Sequence, residues 1–359
     1  MQCPMQWCET DLHDCKRVFN GARRNCTETA TFRHPAGNKI RCAALVLVTN
    51  FKLNNPMANK QIKIIRNSLS YVILLLGLHS VVVAQTINIT YHNNHIYLPC
   101  QVNGKAANLV FDTGAELIYL DSTYIATSGL TFNQVGQAKI GGAGLETKKT
   151  KIIFGEVAVT TGGKKYTPQY VPLVNLRPIL GDRADGIFGL KEIADKVISI
   201  DIKAGKMTLA DRLTSAMTDG YTRIPIEYVS ERVLIPFTVT IGEGQTISGK
   251  GLMDLGSGQG IHFTSKAAAE HHLERIEGKT PFHDEYGGIG GESSGYEFAA
   301  TSAMLGGLEI TPGIVRYSTD ATGALARDTY TAIIGNKIWQ QFSIIIDLKG
   351  KSLYLKLSE

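Results

Sequence analysis

The amino-acid sequence predicts a mostly β protein made of two related lobes with a cleft between them. Short apolar and β-branched runs alternate with turn residues throughout the later part of the chain, which is rich in glycine. An aspartate in a glycine-containing turn follows an apolar strand twice, and a set of glycine motifs recurs at a constant spacing. A chain of 359 residues is also long enough for about two domains.

The first part of the chain differs in composition from the rest. Residues 1–84 contain 11 Lys and Arg against 4 Asp and Glu, a net charge of +7, whereas the remainder contains 26 against 28, a net charge of −2. The near-neutral remainder favours no nucleic-acid partner. Five cysteines lie in the first 42 residues, without the paired spacing of zinc ligands, so we expect no metal and no cofactor.

Residues 57–84 have the organisation of a secretory signal peptide. Lys60, Lys63 and Arg66 form a basic region, and an apolar run over 71–84 follows it. That run is too short to span a membrane comfortably. A signal anchor or a buried strand is the alternative interpretation.

Small residues at Val82-Val83-Ala84 precede Gln85 and match a signal-peptidase cleavage site. Because such signals begin at the N-terminus, we expect Met57 to be the true start and 1–56 to be a non-native or disordered extension. The protein is then exported, either to the periplasm or as a secreted protein, with no stable membrane span after the signal is removed.

The first repeated motif is an aspartate in a turn after an apolar strand. Phe111 leads into Asp112-Thr113-Gly114-Ala115, and Met253 leads into Asp254-Leu255-Gly256-Ser257. A glycine behind the acid lets the backbone fold back, so that amide N–H groups can point at the carboxylate. A single Asp-Thr-Gly is better explained as a turn in a β-sandwich. The second copy favours a paired site.

The second repeated motif is a glycine cluster. Ile140-Gly141-Gly142-Ala143-Gly144 lies in the first half, and Gly287-Gly288-Ile289-Gly290-Gly291 lies in the second, beside Tyr286. A later apolar pair in each half is followed by a glycine, Gly189 or Gly335. Gly189 lies 48 residues after Gly141, and Gly335 lies 48 residues after Gly287. We interpret the clusters as hairpins that fold over a bound chain, with plain β-turns as the alternative.

A tandem duplication explains these matching intervals. It predicts an N-terminal lobe over 85–212, a linker over 213–222 and a C-terminal lobe over 223–359. Each lobe is expected to close with a β-hairpin, at 197–209 and at 342–355.

The duplication has a chemical consequence. Two lobes related by a pseudo-two-fold axis would bring Asp112 and Asp254 face to face. Two close carboxyl groups share one proton over a wide pH range. One can then take a proton from water while the other hydrogen-bonds a substrate carbonyl, which supports hydrolysis of an amide without a covalent intermediate.

Residues from about 92 to 357 resemble the aspartic proteases of the pepsin/retropepsin superfamily in their two-lobed, single-chain form, and are similar to bacterial exported members. The resemblance implies two pseudo-symmetric retropepsin-like lobes with an active-site cleft between them. It implies an aspartic endopeptidase, monomeric and acting on a polypeptide substrate, with Asp112 and Asp254 as the catalytic pair. It also implies supporting roles for Thr113, Gly114, Ala115, Leu255, Gly256 and Ser257, and a flap or substrate-binding role for Ile140, Gly141, Gly142, Ala143, Gly144, Tyr286, Gly287, Gly288, Ile289 and Gly290.

Three residues depart from the family pattern. Leu255 stands where the family has a threonine that hydrogen-bonds across to the opposite lobe. Tyr286 lies beside the second glycine cluster, whereas pepsin-like enzymes have a tyrosine near the first. Ser257 has a hydroxyl that could bond Asp254, and Ala115 has none, so Asp254 is expected to ionise more easily than Asp112. The alternative function is a catalytically inactive relative that binds peptides or envelope partners in the same cleft.

Overall fold

The computed structural model describes residues 84–145, 147–242 and 244–358. The predicted extension over 1–56 and the predicted signal peptide, except its last residue, lie outside this described part. The described chain is mostly β, as the sequence predicts. None of the helices in these ranges is both long and apolar enough to cross a membrane.

Ten consecutive strands of the first half, β2 to β11, form one sheet. The short strand before them, β1, belongs to a different sheet. The strands are β1 (Gln85–Asn88), then β2 (Thr90–His92), β3 (His95–Val102), β4 (Lys105–Phe111), β5 (Ile118–Asp121), β6 (Val135–Ile140), β7 (Lys148–Phe154), β8 (Val159–Thr161), β9 (Lys164–Tyr166), β10 (Tyr170–Val174) and β11 (Gly186–Phe188). The order in the sheet is β6-β7-β10-β5-β11-β4-β3-β8-β9, and β2 pairs with β3.

Short helices connect these strands. They are α1 (Ser122–Ser128), α2 (Arg177–Leu180) and a 3-10 turn at Lys191–Ile193. The buried Asp121 begins α1, because its carboxylate accepts hydrogen bonds from the N–H groups of the first turn. Asn103 and Gly104 join β3 to β4 with positive φ angles of 47° and 83°, as an Asn-Gly hairpin turn requires.

Nine consecutive strands of the second half form another sheet. They follow β12 (Val197–Asp201), β13 (Lys206–Ala210) and β14 (Thr222–Pro225), and are β15 (Glu227–Val229), β16 (Arg232–Ile241), β17 (Gln245–Met253), β18 (Ile261–Phe263), β19 (Thr280–Gly288), β20 (Gly291–Leu305), β21 (Leu308–Ile310), β22 (Ile314–Ser318) and β23 (Ala332–Ile334). The order is β15-β16-β17-β23-β18-β22-β20-β19, and β21 pairs with β20.

The helices of this half are equally short. They are α3 (Ser265–Glu270) and α4 (Asn336–Trp339), with 3-10 turns at Leu273–Arg275 and Ala324–Ala326 and one before β14 at Ser215–Met217. The last strands are β24 (Phe342–Asp347) and β25 (Ser352–Leu357).

A six-stranded sheet combines strands from both halves of the chain, in the order β1-β13-β12-β24-β25-β14. The hairpins expected at 197–209 and 342–355 form β12–β13 and β24–β25, and they pair with each other through β12 and β24. Buried isoleucines such as Ile198, Ile200, Ile344 and Ile346 give this sheet a face in the main core. Because the shared sheet joins the two halves, the turns at the ends of β4 and β17 have a common support.

The same strand register recurs in the ten- and nine-stranded sheets. In the first of these sheets Tyr97, Val110 and Ile187 form a row across three neighbouring strands. In the second, Leu234, Leu252 and Ile333 form the corresponding row. Each row belongs to a small apolar cluster that packs apart from the main core. The middle residue of each row lies two positions before one of the two candidate aspartates.

Candidate functional site

The two aspartates lie directly after β4 and β17, each at the end of a strand with a parallel neighbour. The Asp112 N–H donates to the carbonyl of Phe188 at 3.1 Å, and the Asp254 N–H donates to the carbonyl of Ile334 at 3.0 Å. These bonds extend the parallel pairs β4–β11 and β17–β23 by one residue. The backbone therefore enters both turns in the same way.

Each aspartate also accepts two backbone hydrogen bonds from its own turn. Asp112 Oδ1 accepts from the N–H of Gly114 at 2.7 Å and of Ala115 at 3.1 Å. In the second turn the donors to Asp254 Oδ1 are Gly256 and Ser257, both at 2.9 Å. N–H donors favour the charged form of a carboxyl group, so both turns are able to hold a carboxylate.

The two turns approach each other closely enough for each carboxyl group to lie over the glycine of the other turn. A Cβ atom placed on Gly114 would lie 2.8 Å from Cγ of Asp254, and one on Gly256 would overlap the carboxyl group of Asp112. Real Cβ atoms do not approach carboxyl carbons so closely. The glycines are therefore required for the close approach of the two aspartates.

Gly256→Ala should disrupt the site more than the fold. The φ angle of Gly256 is not positive, so alanine meets no backbone strain there, but its methyl group displaces the Asp112 carboxyl. We expect any activity of the site to fall by roughly 10²-fold or more, as for a misplaced catalytic group. The thermal midpoint should change little. A variant with parental turnover would contradict this packing.

Thr113 connects the two turns through its buried hydroxyl. Oγ1 donates to the carbonyl of Met253 at 2.7 Å and accepts from the N–H of Leu255 at 3.0 Å. Leu255 occupies the matching position of the second turn, and its side chain is fully buried in the main core. The leucine has no hydroxyl to return these bonds, so the bonds of Thr113 have no counterpart from the second turn.

The two carboxyl groups face a cavity and interact with each other. Burial and the charge of Asp254 raise the pKa of Asp112 well above its ordinary value, against the N–H donors of Gly114 and Ala115. Burial also raises the pKa of Asp254, but the hydrogen bond from Asp112 and its own N–H donors oppose that rise. Both carboxyl groups are therefore easier to protonate than a free aspartate, and the pair can hold one proton between them.

Ser257 bonds Asp254 in a different way from the one expected from its hydroxyl group. The Ser257 hydroxyl oxygen accepts the N–H of Gln259 at 3.3 Å, and the residue bonds Asp254 through its backbone N–H instead. Ala115 offers the same backbone bond to Asp112. The two turns therefore bond their aspartates through equivalent backbone donors.

A cavity of about 770 Å³ surrounds the two aspartates. Both glycine clusters line it, and so does Tyr286, which is 55% exposed. Residues of the ten-stranded and nine-stranded sheets form its sides. Of the residues named from the sequence, the lining includes both aspartates, Gly114, Ala115, Gly256, Ser257, Gly141, Gly142, Ala143, Tyr286, Gly287, Gly288 and Ile289.

The two glycine clusters are hairpin turns that contact one another. The first joins β6 to β7, and the second joins β19 to β20. The N–H of Gly290 donates to the carbonyl of Ala143 at 2.7 Å, and a Cβ on Gly142 would lie 3.1 Å from that of Ile289. The N–H of Ala324 donates to the Gly142 carbonyl at 2.9 Å, so a third segment supports the first hairpin.

Several residues at the site were not anticipated from their sequence positions. His95 lines the cavity, and burial lowers its pKa to about 4, so its ring is neutral above that pH. Asn336 donates from Nδ2 to the carbonyls of Asn94 and Leu255, at 2.7 and 2.6 Å. His95 lies two residues before Tyr97 on β3, as Arg232 lies two before Leu234 on β16. An alignment of the two halves by strand register matches His95 with Arg232 and would have drawn attention to these two residues.

No three His, Cys, Asp or Glu side chains are grouped as metal ligands among the residues that the structure describes. The donors around the two aspartates are backbone N–H groups, which suit a carboxylate rather than a cation. The chemistry available to the site is proton transfer between two coupled carboxyl groups, with a sheltered cavity above them.

Comparison with protein families gives one match. Residues 98–191 match the family described as aspartyl protease, which is less than half of the 359-residue chain. No curated protein matches the chain. The matched range begins within β3 and includes the Asp112 turn and β11. The match supports an aspartyl protease-like domain over these residues.

Proposed function

We propose that the protein is an aspartic endopeptidase in which Asp112 and Asp254 activate water between two pseudo-symmetric lobes. The observation that carries the proposal is the approach of the two carboxyl groups, each over the glycine of the opposite turn. The recurrence of strand register and turn bonding around both aspartates supports the two-lobed interpretation.

Burial raises the pKa of both carboxyl groups, so the pair can carry one proton and one negative charge. In the proposed mechanism the ionised Asp254 takes a proton from the attacking water, and the protonated Asp112 hydrogen-bonds the carbonyl oxygen of the scissile peptide. The transition state carries a growing negative charge on that oxygen, which a hydrogen-bond donor stabilises. The hairpins with the two glycine clusters cover the bound polypeptide and keep bulk water away.

The function is tested by incubating the protein with a reduced, carboxymethylated and therefore unfolded protein between pH 3 and pH 7. Fragments are identified by mass spectrometry. We expect cleavage by the parent, and none above background by Asp254→Asn, which keeps the shape but cannot accept the proton from water. Cleavage that persists in Asp254→Asn would refute the two-carboxylate mechanism.

A second function, the binding of peptides without hydrolysis, is favoured by Leu255. Its apolar side chain leaves the polar link between the turns to Thr113, so the geometry of Asp254 has less support than two threonines would provide. A parent protein that binds a statine-type peptide, a mimic of the tetrahedral transition state, but releases no fragments would favour this alternative.

We further propose that the protein is exported, on the basis of the basic and apolar pattern over 57–84. N-terminal sequencing of the mature protein should then begin near Gln85. A mature protein that retains residues 1–56 would contradict this proposal.

A further inference from the structure

One wall of the cavity is an apolar cluster that packs apart from the main core. Leu252, Leu325, Tyr330 and Ile333 belong to this cluster and also line the cavity. They are nearly fully buried, at 2–6% exposed. The few atoms that remain exposed line the cavity, so the carbon atoms of a substrate side chain can make limited apolar contact there.

Two arginines lie at the edge of this cluster. Arg232 begins β16 and shares a face of that strand with Leu234, which belongs to the cluster. Arg327 lies between the 3-10 turn at Ala324–Ala326 and Tyr330, and it lines the main cavity and the adjoining cavity of about 430 Å³ under the first hairpin.

The hydroxyl of Tyr330 fastens the segment that carries Arg327 to the apolar cluster. It donates to the carbonyl of Ala324 at 2.6 Å. Burial raises the pKa of Tyr330 to about 12, while the charges of Arg327 and Arg232 oppose that rise. Arg232, Arg327 and Tyr330 all line the same cavity.

Neither arginine has an ion-pair partner among the described residues. Two acidic side chains of the cavity are already paired, Glu116 with Lys191 at 2.9 Å and Asp284 with Arg316 at 2.9 Å. Within the described ranges Glu285, also in the cavity lining, forms no ion pair. Arg232 and Arg327 are thus a pair of positive charges that no described carboxylate neutralises at short range.

We propose that Arg232 and Arg327 bind an acidic side chain of the polypeptide substrate, so that the protein selects chains with Glu or Asp beside the scissile bond. The methylene groups of the side chain pack on the apolar cluster, and its carboxylate meets the guanidinium groups. Arginine suits this role because its planar group binds a carboxylate through two N–H donors. The inference rests on the proposed function, because it concerns the substrate of that site.

The predicted preference is moderate. Arg327 is exposed, so its interaction with a carboxylate is partly screened by water, whereas Arg232 is half-buried. Together they should favour a Glu peptide over the matching Gln peptide by roughly three- to tenfold in kcat/KM. The preference should diminish at pH 3.5, where the substrate glutamate becomes protonated.

The test begins with a library of random ten-residue peptides digested by the full-length protein at pH 5.5. Sequencing of the products by mass spectrometry should show Glu and Asp enriched at one position near the cut. Matched Glu, Gln and Lys peptides are then compared on the parent and on the Arg232→Gln/Arg327→Gln double variant. We expect the double variant to cleave the Glu and Gln peptides with equal kcat/KM. Arg327→Glu should raise the kcat/KM of the Lys peptide relative to that of the Glu peptide.

Arg275→Gln is the control, because Arg275 is exposed, does not line the cavity and carries the same charge. It should keep the parental Glu-to-Gln ratio. The arginines could instead act only on the charge of the two aspartates. Their loss would then shift the pH profile of cleavage equally for all peptides, and the Glu-to-Gln ratio of kcat/KM would not change. That result, or a library without acidic enrichment, would overturn the inference and leave the proposed hydrolysis standing.

Absence of cleavage with every peptide would count against the proposed hydrolysis instead. Fluorescence anisotropy of labelled Glu and Gln peptides with the parent protein then tests the arginines directly. Tighter binding of the Glu peptide, lost in the double variant, would support the acidic selectivity of the cavity. Equal binding of both peptides would overturn it.

Discussion

Asp112→Asn should remove hydrolysis and at the same time stabilise the protein at neutral pH. The amide cannot share a proton with Asp254, so the general acid of the proposed mechanism is lost. Proton transfer by a positioned side chain contributes roughly 10²- to 10⁴-fold to rate, and we expect a loss of at least that size in kcat. The measurement is fragment release from the unfolded protein substrate.

The gain in stability follows from the raised pKa of Asp112. A carboxyl whose folded pKa exceeds its unfolded pKa binds protons more strongly in the folded state. Its contribution is fully present below the unfolded pKa near 3.8 and is lost as the pH rises through the folded pKa. Asparagine has no charge to bury, so the variant avoids this loss, and its Oδ1 can still accept the N–H of Gly114.

The parent and Asp112→Asn should therefore have similar thermal midpoints at pH 3, and the variant should have the higher midpoint at pH 7. Asp219→Asn is the control, because Asp219 is exposed and outside the cavity. It should match the parent in activity and in both midpoints. A variant that is less stable than the parent at pH 7 would contradict the raised pKa of Asp112.

Thr113→Val should lower the stability of the protein and its activity together. Valine has nearly the shape of threonine, so the change removes the hydroxyl without opening a cavity. The carbonyl of Met253 loses a donor, and the buried N–H of Leu255 loses its acceptor. A buried polar group left without a partner costs about 1–3 kcal/mol, so we expect a loss of about 2–4 kcal/mol in the free energy of unfolding.

Thermal unfolding and peptide hydrolysis measure the two effects. A loss of this size corresponds to a thermal midpoint lower by roughly 5–15 °C. Activity should also fall, because the Asp254 turn depends on Thr113 for its position. Thr127→Val is the matched control, since the Thr127 hydroxyl bonds only carbonyls of its own helix, those of Thr123 and Tyr124. A Thr113→Val protein as stable as the control would show that the link carries little energy.

The sequence by itself determined the β class and the local form of both aspartate turns. Apolar alternation and Asn-Gly turn chemistry are local signals, and β3 is an apolar run over His95–Val102 that ends at the Asn103-Gly104 turn. The glycines after Asp112 and Asp254 predicted turns whose N–H groups point at the carboxylates, and they do so. These features depend on a few neighbouring residues, so the sequence contains the information that they need.

Only the tertiary structure decided how distant residues act on one another. Thr113 contacts Met253 and Leu255, 140 and 142 residues away, through bonds that no local pattern specifies. The serine at 257 suggested a hydroxyl bond to Asp254, but the backbone geometry directs that hydroxyl to Gln259. Arg232 and Arg327 carry no sequence signal of a joint role, because a pair of charges exists only when strand register and loop packing bring both residues to one wall. Side-chain type and local pattern follow from the sequence, whereas the raised pKa of both aspartates and the charge of the cavity wall arise from distances and burial that folding sets.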